Sequence, residues 1–223
     1  MPDLDAAFYF DLASPSAYLA AERVLHVLPT RAEWQPVLAH ELSDAETFRA
    51  YGRNTEQEIF REEIESTARA QGLQPLKWPD PFPFDSTLAM RVATYAKSIG
   101  RTVPFVQAAF RQAFAGGHSL EDPDYVLIAA AACEMHPAAV LKGAELRSVR
   151  EQLSVTTALA AEAGVTGVPT KIFAPIRTAG TPVTPSCAAC AVVLESCALT
   201  ERSSAPLSTA AGCISQAAAA IST

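Results

Sequence analysis

The opening of the chain does most to narrow the folds it can adopt. Ala6 to Phe10 (AAFYF) is a short aromatic-rich run that reads as a buried strand. Asp11-Leu12-Ala13 turns the chain, and Ser14-Pro15 starts a helix, because serine is a favoured N-cap and proline is favoured at the first helical position. Tyr18, Leu19, Val24, Leu25 and Leu28 continue at helical spacing until Pro29 stops the pattern. Glu33 to Leu38 predicts a second strand, with Pro36 marking an edge or an irregularity. Strand, helix and strand in this order predict a parallel pair joined by a right-handed crossover.

Beyond Ala39 the pattern turns helical. Ala45–Tyr51 and Thr55–Gln71 are polar helical stretches, followed by a proline-rich connector from Pro75 to Pro83. Thr87–Ile99 and Val103–Phe114 are amphipathic, the second with Phe105, Val106, Ala109, Phe110 and Ala113 on one face. Gly116-Gly117 ends that helix. Asp122–Met135 and Pro137–Gly143 predict further short helices, and Ala144–Ala163 a single long one with Gly164 as its C-cap. Lys171-Ile172-Phe173 predicts a third strand. These elements predict a discontinuous core from residues 1–39 and 144–173, with 40–143 as an inserted helical subdomain.

The remaining stretch, 174–223, has no aromatic residue and only four charged ones, Arg177, Glu195, Glu201 and Arg202. It reads as an atypical low-complexity tail with little to build a sheet from, in which Val192–Leu199 and Ala217–Ile221 predict weak helices. Four of the five cysteines (Cys187, Cys190, Cys197, Cys213) fall here, and the fifth is Cys133. An odd, clustered set is no disulfide framework, and Cys187-Ala188-Ala189-Cys190 on its own is a weak redox or metal signal.

Charge and hydropathy exclude several partners. The 223 residues are 49% hydrophobic and 18% charged, with a formal net charge of -7. A packed globular chain is expected. The acidic balance argues against nucleic acid and anionic membrane surfaces, which select basic faces. No run of roughly 18 apolar residues offers a membrane span, and the acidic start MPDLDAAFYFDL does not read as a secretory signal, so a cytoplasmic address is expected. His26, His40, His118 and His136 have no metal-ligand spacing, and no metal is expected.

DLASPSAYLA (Asp11–Ala20), FDSTLAMRVATYA (Phe84–Ala96) and GVTGVPT (Gly164–Thr170) together resemble the 2-hydroxychromene-2-carboxylate isomerases and the kappa-class glutathione transferases. Those families belong to the DsbA-like branch of the thioredoxin superfamily. The resemblance runs from about residue 5 to residue 172. It implies an α/β fold, a thioredoxin-like core with a large all-helical insertion.

Redox members of that branch carry a cysteine at the position of Ser14 and a second one three residues on. Here Ser14 and Ala17 stand in those places, so dithiol exchange through this motif is excluded. A serine hydroxyl beside the positive end of a helix can instead hold the sulfur of a bound thiol as its thiolate, since a free thiol, with a pKa of about 8.5, is mostly protonated at neutral pH. The resemblance implies that role for Ser14, with glutathione (or another low-molecular-weight thiol) as cofactor. Ser14-Pro15 also satisfies a plain N-cap, and the two readings are compatible. Val168-Pro169 is expected to be cis, presenting Val168 N–H and C=O to a peptide-like ligand as a strand would. Asn54 follows Gly52-Arg53 where the family has an asparagine that contacts glutathione, and it also reads as the N-cap of the Thr55 helix. Trp78 is a candidate wall for the electrophile.

The resemblance implies a glutathione-dependent isomerase acting on small conjugated aromatics by reversible thiolate addition. The alternatives are a kappa-type transferase with an electrophilic substrate, or a non-catalytic thiol-binding paralogue. Relatives are commonly dimers, which allows a homodimer. The chain departs from the family in two places. Near Thr55–Arg61, where the family has a lysine that meets glutathione, only Arg61 is basic. After Thr170, the family's C-terminal β-hairpin and helix are missing or replaced, as a shifted reading frame or a substituted terminus would produce. If the tail is genuine, this predicts a third strand left at an exposed edge, Phe8 and Phe10 partly wetted, and a destabilised, even inactive, protein.

Overall fold

A computed structural model describes residues 4–27, 32–43, 54–175 and 192–194. The central strand β1 (Leu4–Phe10) carries β2 (Ala32–Pro36) on one side and β3 (Thr170–Pro175) on the other. β2 is parallel to β1 with Phe8 opposite Trp34, and β3 is antiparallel with Ala6 opposite Phe173. α1 (Pro15–Val27) makes the crossover between β1 and β2. β2 ends the sheet, which is where Pro36, lacking an N–H, does no harm to the ladder.

The far edge corrects one expectation. β4 (Val192–Leu194) is a strand and not the start of a helix, and it pairs antiparallel with β3, Ile172 opposite Val193. Two β-branched residues in succession favour this outcome, because their χ1 freedom is already restricted and an extended backbone asks least of them. β3 is therefore not a bare edge along its length. Ala45–Tyr51, Cys187, Cys190 and Ala217–Ile221 lie outside the described residues.

Helices fill most of the chain between β2 and β3. They are α2 (Asn54–Ala70), α3 (Thr87–Ser98), α4 (Thr102–Phe114), α5 (Pro123–Ala131), α6 (Pro137–Glu145) and α7 (Arg147–Glu162). Each of α5 and α6 opens on a capped proline: Asp122 accepts from Asp124 N–H, and His136 Nδ1 accepts from Ala138 N–H at 3.3 Å. The long helix expected over Ala144–Ala163 starts three residues later, and Ala144 and Glu145 belong to α6. Leu146 has ψ 133°, which takes it out of the helical ladder, and hydrogen bonding restarts at Arg147. Gly164 takes φ +86° after the last turn of α7, a conformation open to glycine at little cost.

Phe8 and Phe10 are fully buried, which corrects the expectation of wetted rings. They project from the face of β1 covered by helices, so the sheet's edges do not decide their exposure. Phe8 meets Trp34 edge-on at 5.0 Å, and Phe10 meets Phe110 of α4 at 6.3 Å. From there the rings run on without a gap. Phe110 lies 6.0 Å from Tyr18 of α1, Tyr18 stacks on Phe114 at 5.6 Å, and Phe114 reaches Trp78 and Phe82 of the proline-rich connector at 6.4 Å each. Edge-to-face pairs at such spacings add roughly 0.5–1.5 kcal/mol each beyond their buried area. On the opposite face, Tyr9 and Val168 pack on a smaller cluster of Val37, Leu42, Ala160 and Val165.

Candidate functional site

The turn between β1 and α1 is built around one buried carboxylate. Asp11, 1% exposed, accepts the Ala13 N–H at Oδ1 and the Ala39 N–H at Oδ2, both at 2.9 Å. The Ser86 hydroxyl lies beside the same carboxylate and favours its charged form. Ser86 stands at the N-cap of α3 yet makes no side-chain bond to its own helix. Burial pushes the Asp11 carboxyl up from its ordinary value, while the Ala13 and Ala39 N–H groups, the Ser86 hydroxyl and the charge of His40 oppose the shift. One residue on, the Leu12 N–H donates to Met90 Sδ of α3 at 3.3 Å. The Ser14 N–H donates to the Asp11 carbonyl at 3.1 Å and closes the turn.

Ser14 is thereby delivered to the start of α1 as a true N-cap. Its Oγ accepts the Ala17 N–H at 3.2 Å, and its carbonyl accepts the Tyr18 N–H at 3.1 Å. The side chain is nearly buried, and its own hydrogen points to the Val168 carbonyl at 3.5 Å. That distance is at the outer limit for a hydroxyl donor, whose usual range ends near about 3.0 Å. The hydroxyl proton is thus held by a weak acceptor, whereas the oxygen is fixed by Ala17.

Val168-Pro169 is cis, as expected, and lies between α7 and β3 with both residues half-buried. Ser14 and Val168, 154 positions apart in sequence, therefore meet. Pro15 has no N–H, and helix geometry leaves the Ser16 N–H without an intrahelical acceptor. The positive end of α1 is consequently turned toward the Val168 loop, an arrangement that favours negative charge there.

The other two predicted residues lie further off. Trp78 is half-buried at the end of the ring chain, between Phe60, Phe82 and Phe114, with its Nε1–H donated to Glu65 Oε1 at 2.8 Å. The Arg61 guanidinium caps its face at 5.1 Å from the ring centre. Two rings, Phe114 and Tyr18, separate Trp78 from the first turn of α1. Asn54 is the first residue of α2, which packs against α1, and its side chain lies outside the described residues. Asp11, Ser86 and Met90 were not singled out by sequence reasoning. All three fall inside the quoted motifs, but their partners are distant in sequence.

No thiol stands at this turn: the position of a second redox cysteine is Ala17, fully buried. The described cysteine, Cys133, is buried, and burial pushes its thiol up, partly countered by Arg101. Among the described residues no group of three His, Cys, Asp or Glu side chains could hold a metal ion, and no helix is long and apolar enough to cross a membrane.

Comparison with known proteins supports this geometry at the level of the fold. The sequence profile of the DSBA-like thioredoxin domain matches residues 6–175. Among solved structures, a 2-hydroxychromene-2-carboxylate isomerase superposes with a TM-score of 0.65 at 18% identity, covering 74% of this chain and 83% of that one. A probable DsbA oxidoreductase from Streptomyces coelicolor gives 0.59 at 20% identity, covering 77% and 80%. The cytosolic disulfide reductase DsbM from Pseudomonas aeruginosa, solved with GSH, gives 0.57 at 14% identity, covering 78% and 90%. No curated protein matches significantly in sequence.

Proposed function

The chain belongs to the DsbA-like thioredoxin family, and from that premise we propose that it is a glutathione-dependent isomerase of small conjugated aromatic compounds, with no redox chemistry at its own turn. One observation carries this reading. A nearly buried serine hydroxyl occupies the start of α1, with its proton on a long bond to Val168 and no cysteine at position 14 or 17. A hydrogen-bond donor of this kind fits a thiol ligand: it can turn from the weak carbonyl acceptor to a sulfur anion without disturbing the bond that fixes its oxygen.

When bound, glutathione supplies a thiolate that adds reversibly to a conjugated double bond, so that the substrate leaves as its isomer without net oxidation. The residues of this chain have separate tasks. Ser14 donates a hydrogen bond to the sulfur anion while keeping its proton, and the first turn of α1 lowers the cost of the negative charge. Val168 offers a backbone N–H and C=O to the tripeptide, in the manner of an added strand. Trp78, two rings from the first turn of α1, borders only the outer end of the aromatic substrate's approach, and Asn54, at the start of α2, contacts the far end of the cofactor.

The reading is tested by ultraviolet difference spectroscopy at about 240 nm as glutathione is titrated across pH, with Ser14→Ala in parallel. A thiolate band well below the free-thiol pKa of about 8.5, lost in Ser14→Ala together with isomerase turnover, is the expected result. A protein that binds glutathione with no such band at any pH below that value would overturn it.

A further inference from the structure

We propose that Asp11 is the positioning residue of this site, its buried carboxylate drawing the Ser14 turn, the segment after β2 and the start of α3 to one point so that the Ser14 hydroxyl is aimed. The inference rests on the thiolate reading of Ser14. A carboxylate that merely closed its own turn needs only the Ala13 N–H, and it would sit at the surface, where ionisation is cheap. Asp11 is buried instead, and takes hydrogen bonds from two separate segments, Ala13 beside it and Ala39 28 residues away, with the Ser86 hydroxyl at the N-cap of α3 also favouring its charge. Ser86 makes no side-chain bond to its own helix. Met90, one turn further along α3, takes the Leu12 N–H. Neither Asp11 nor Met90 bonds to Ser14's side chain, so any influence passes through the backbone of residues 12–14.

Asparagine separates the two roles. It keeps one oxygen for the Ala13 N–H, and the Ser86 hydroxyl can accept from its amide. It has no second oxygen for Ala39, so the link to that segment comes loose. The experiment is the pH titration of the thiolate band in full-length Asp11→Asn with glutathione, binding being followed separately by calorimetry and the fold by circular dichroism. The expected result is bound glutathione whose thiolate midpoint rises by roughly one pH unit, about tenfold less thiolate at a given pH.

A purely structural loss lowers the amplitude at every pH and leaves the midpoint in place; that outcome overturns the proposal. A midpoint that falls also overturns it, because it means Asp11 acts through its charge. Should Asp11→Asn not fold, Ser86→Ala removes the hydroxyl that favours the carboxylate's charge and is expected to move the midpoint in the same direction by less; an unchanged midpoint there counts against the proposal equally. Absence of the band in the unaltered protein removes the thiolate reading itself, whereas a normal band unmoved by Asp11→Asn removes the positioning role alone.

Discussion

At the scale of single residues, a close approach between two helices sets a sharp test of packing. Gly143 of α6 lies against the ring of Tyr95 in α3, and a Cβ added there would sit 2.5 Å from Tyr95 Cδ2 and 2.6 Å from Cγ. Alanine's helical preference over glycine, about 0.8–1.0 kcal/mol, is outweighed by overpacking at roughly 1–3 kcal/mol. Gly143→Ala is expected to lower stability by up to about 2 kcal/mol, read from the urea midpoint, and pairing it with Tyr95→Leu should recover part of the loss. Ser14-Pro15 and Val168-Pro169 were legible in the sequence because N-caps and X-Pro bonds are written in adjacent residues. Asp11 was not. Its turn is local, but Ala39 and Ser86 reach it only through the tertiary fold, and nothing in Asp11-Leu12-Ala13 announces a buried charge.

The helices show where element boundaries can be read and where they cannot. α5 and α6 begin on Asp-Pro and His-Pro, signals strong enough to place both within a residue. The sequence puts the boundary between α6 and α7 at Gly143, and it falls at Leu146, because Gly143 stays inside α6 and the residues that follow it form helix well. β4 was hidden because three residues are too few to show a strand's alternation, and only pairing with β3 reveals what Val192-Val193 favours. The cap of α6 yields a prediction at this scale. His136 accepts the Ala138 N–H only through an unprotonated Nδ1, and at 3.3 Å the bond is long. Aspartate would accept it with charge and complement the helix dipole, so His136→Asp is expected to raise stability by about 0.5–1 kcal/mol at neutral pH. A denaturant midpoint unchanged or lowered by the substitution would contradict the role of this cap.

Across the whole molecule, the β-α-β opening and the helical run after it were legible because periodicity and proline placement survive without tertiary information. What covers the sheet was not, and the chain of rings from Phe8 through Phe110, Tyr18 and Phe114 to Trp78 supplies the answer. That chain has an optical consequence. The protein has two tryptophans, one at either end of it: Trp34 is 3% exposed against Phe8 and Phe10, while Trp78 is half-buried beneath Arg61. Their emission therefore comes from two environments, a blue component from the core and a redder one from the connector. Acrylamide should quench the redder component first, and Trp78→Phe should leave a single, blue-shifted and weakly quenched band. The fluorescence of the native protein thus contains separate signals for the sheet and for the connector, with no label attached.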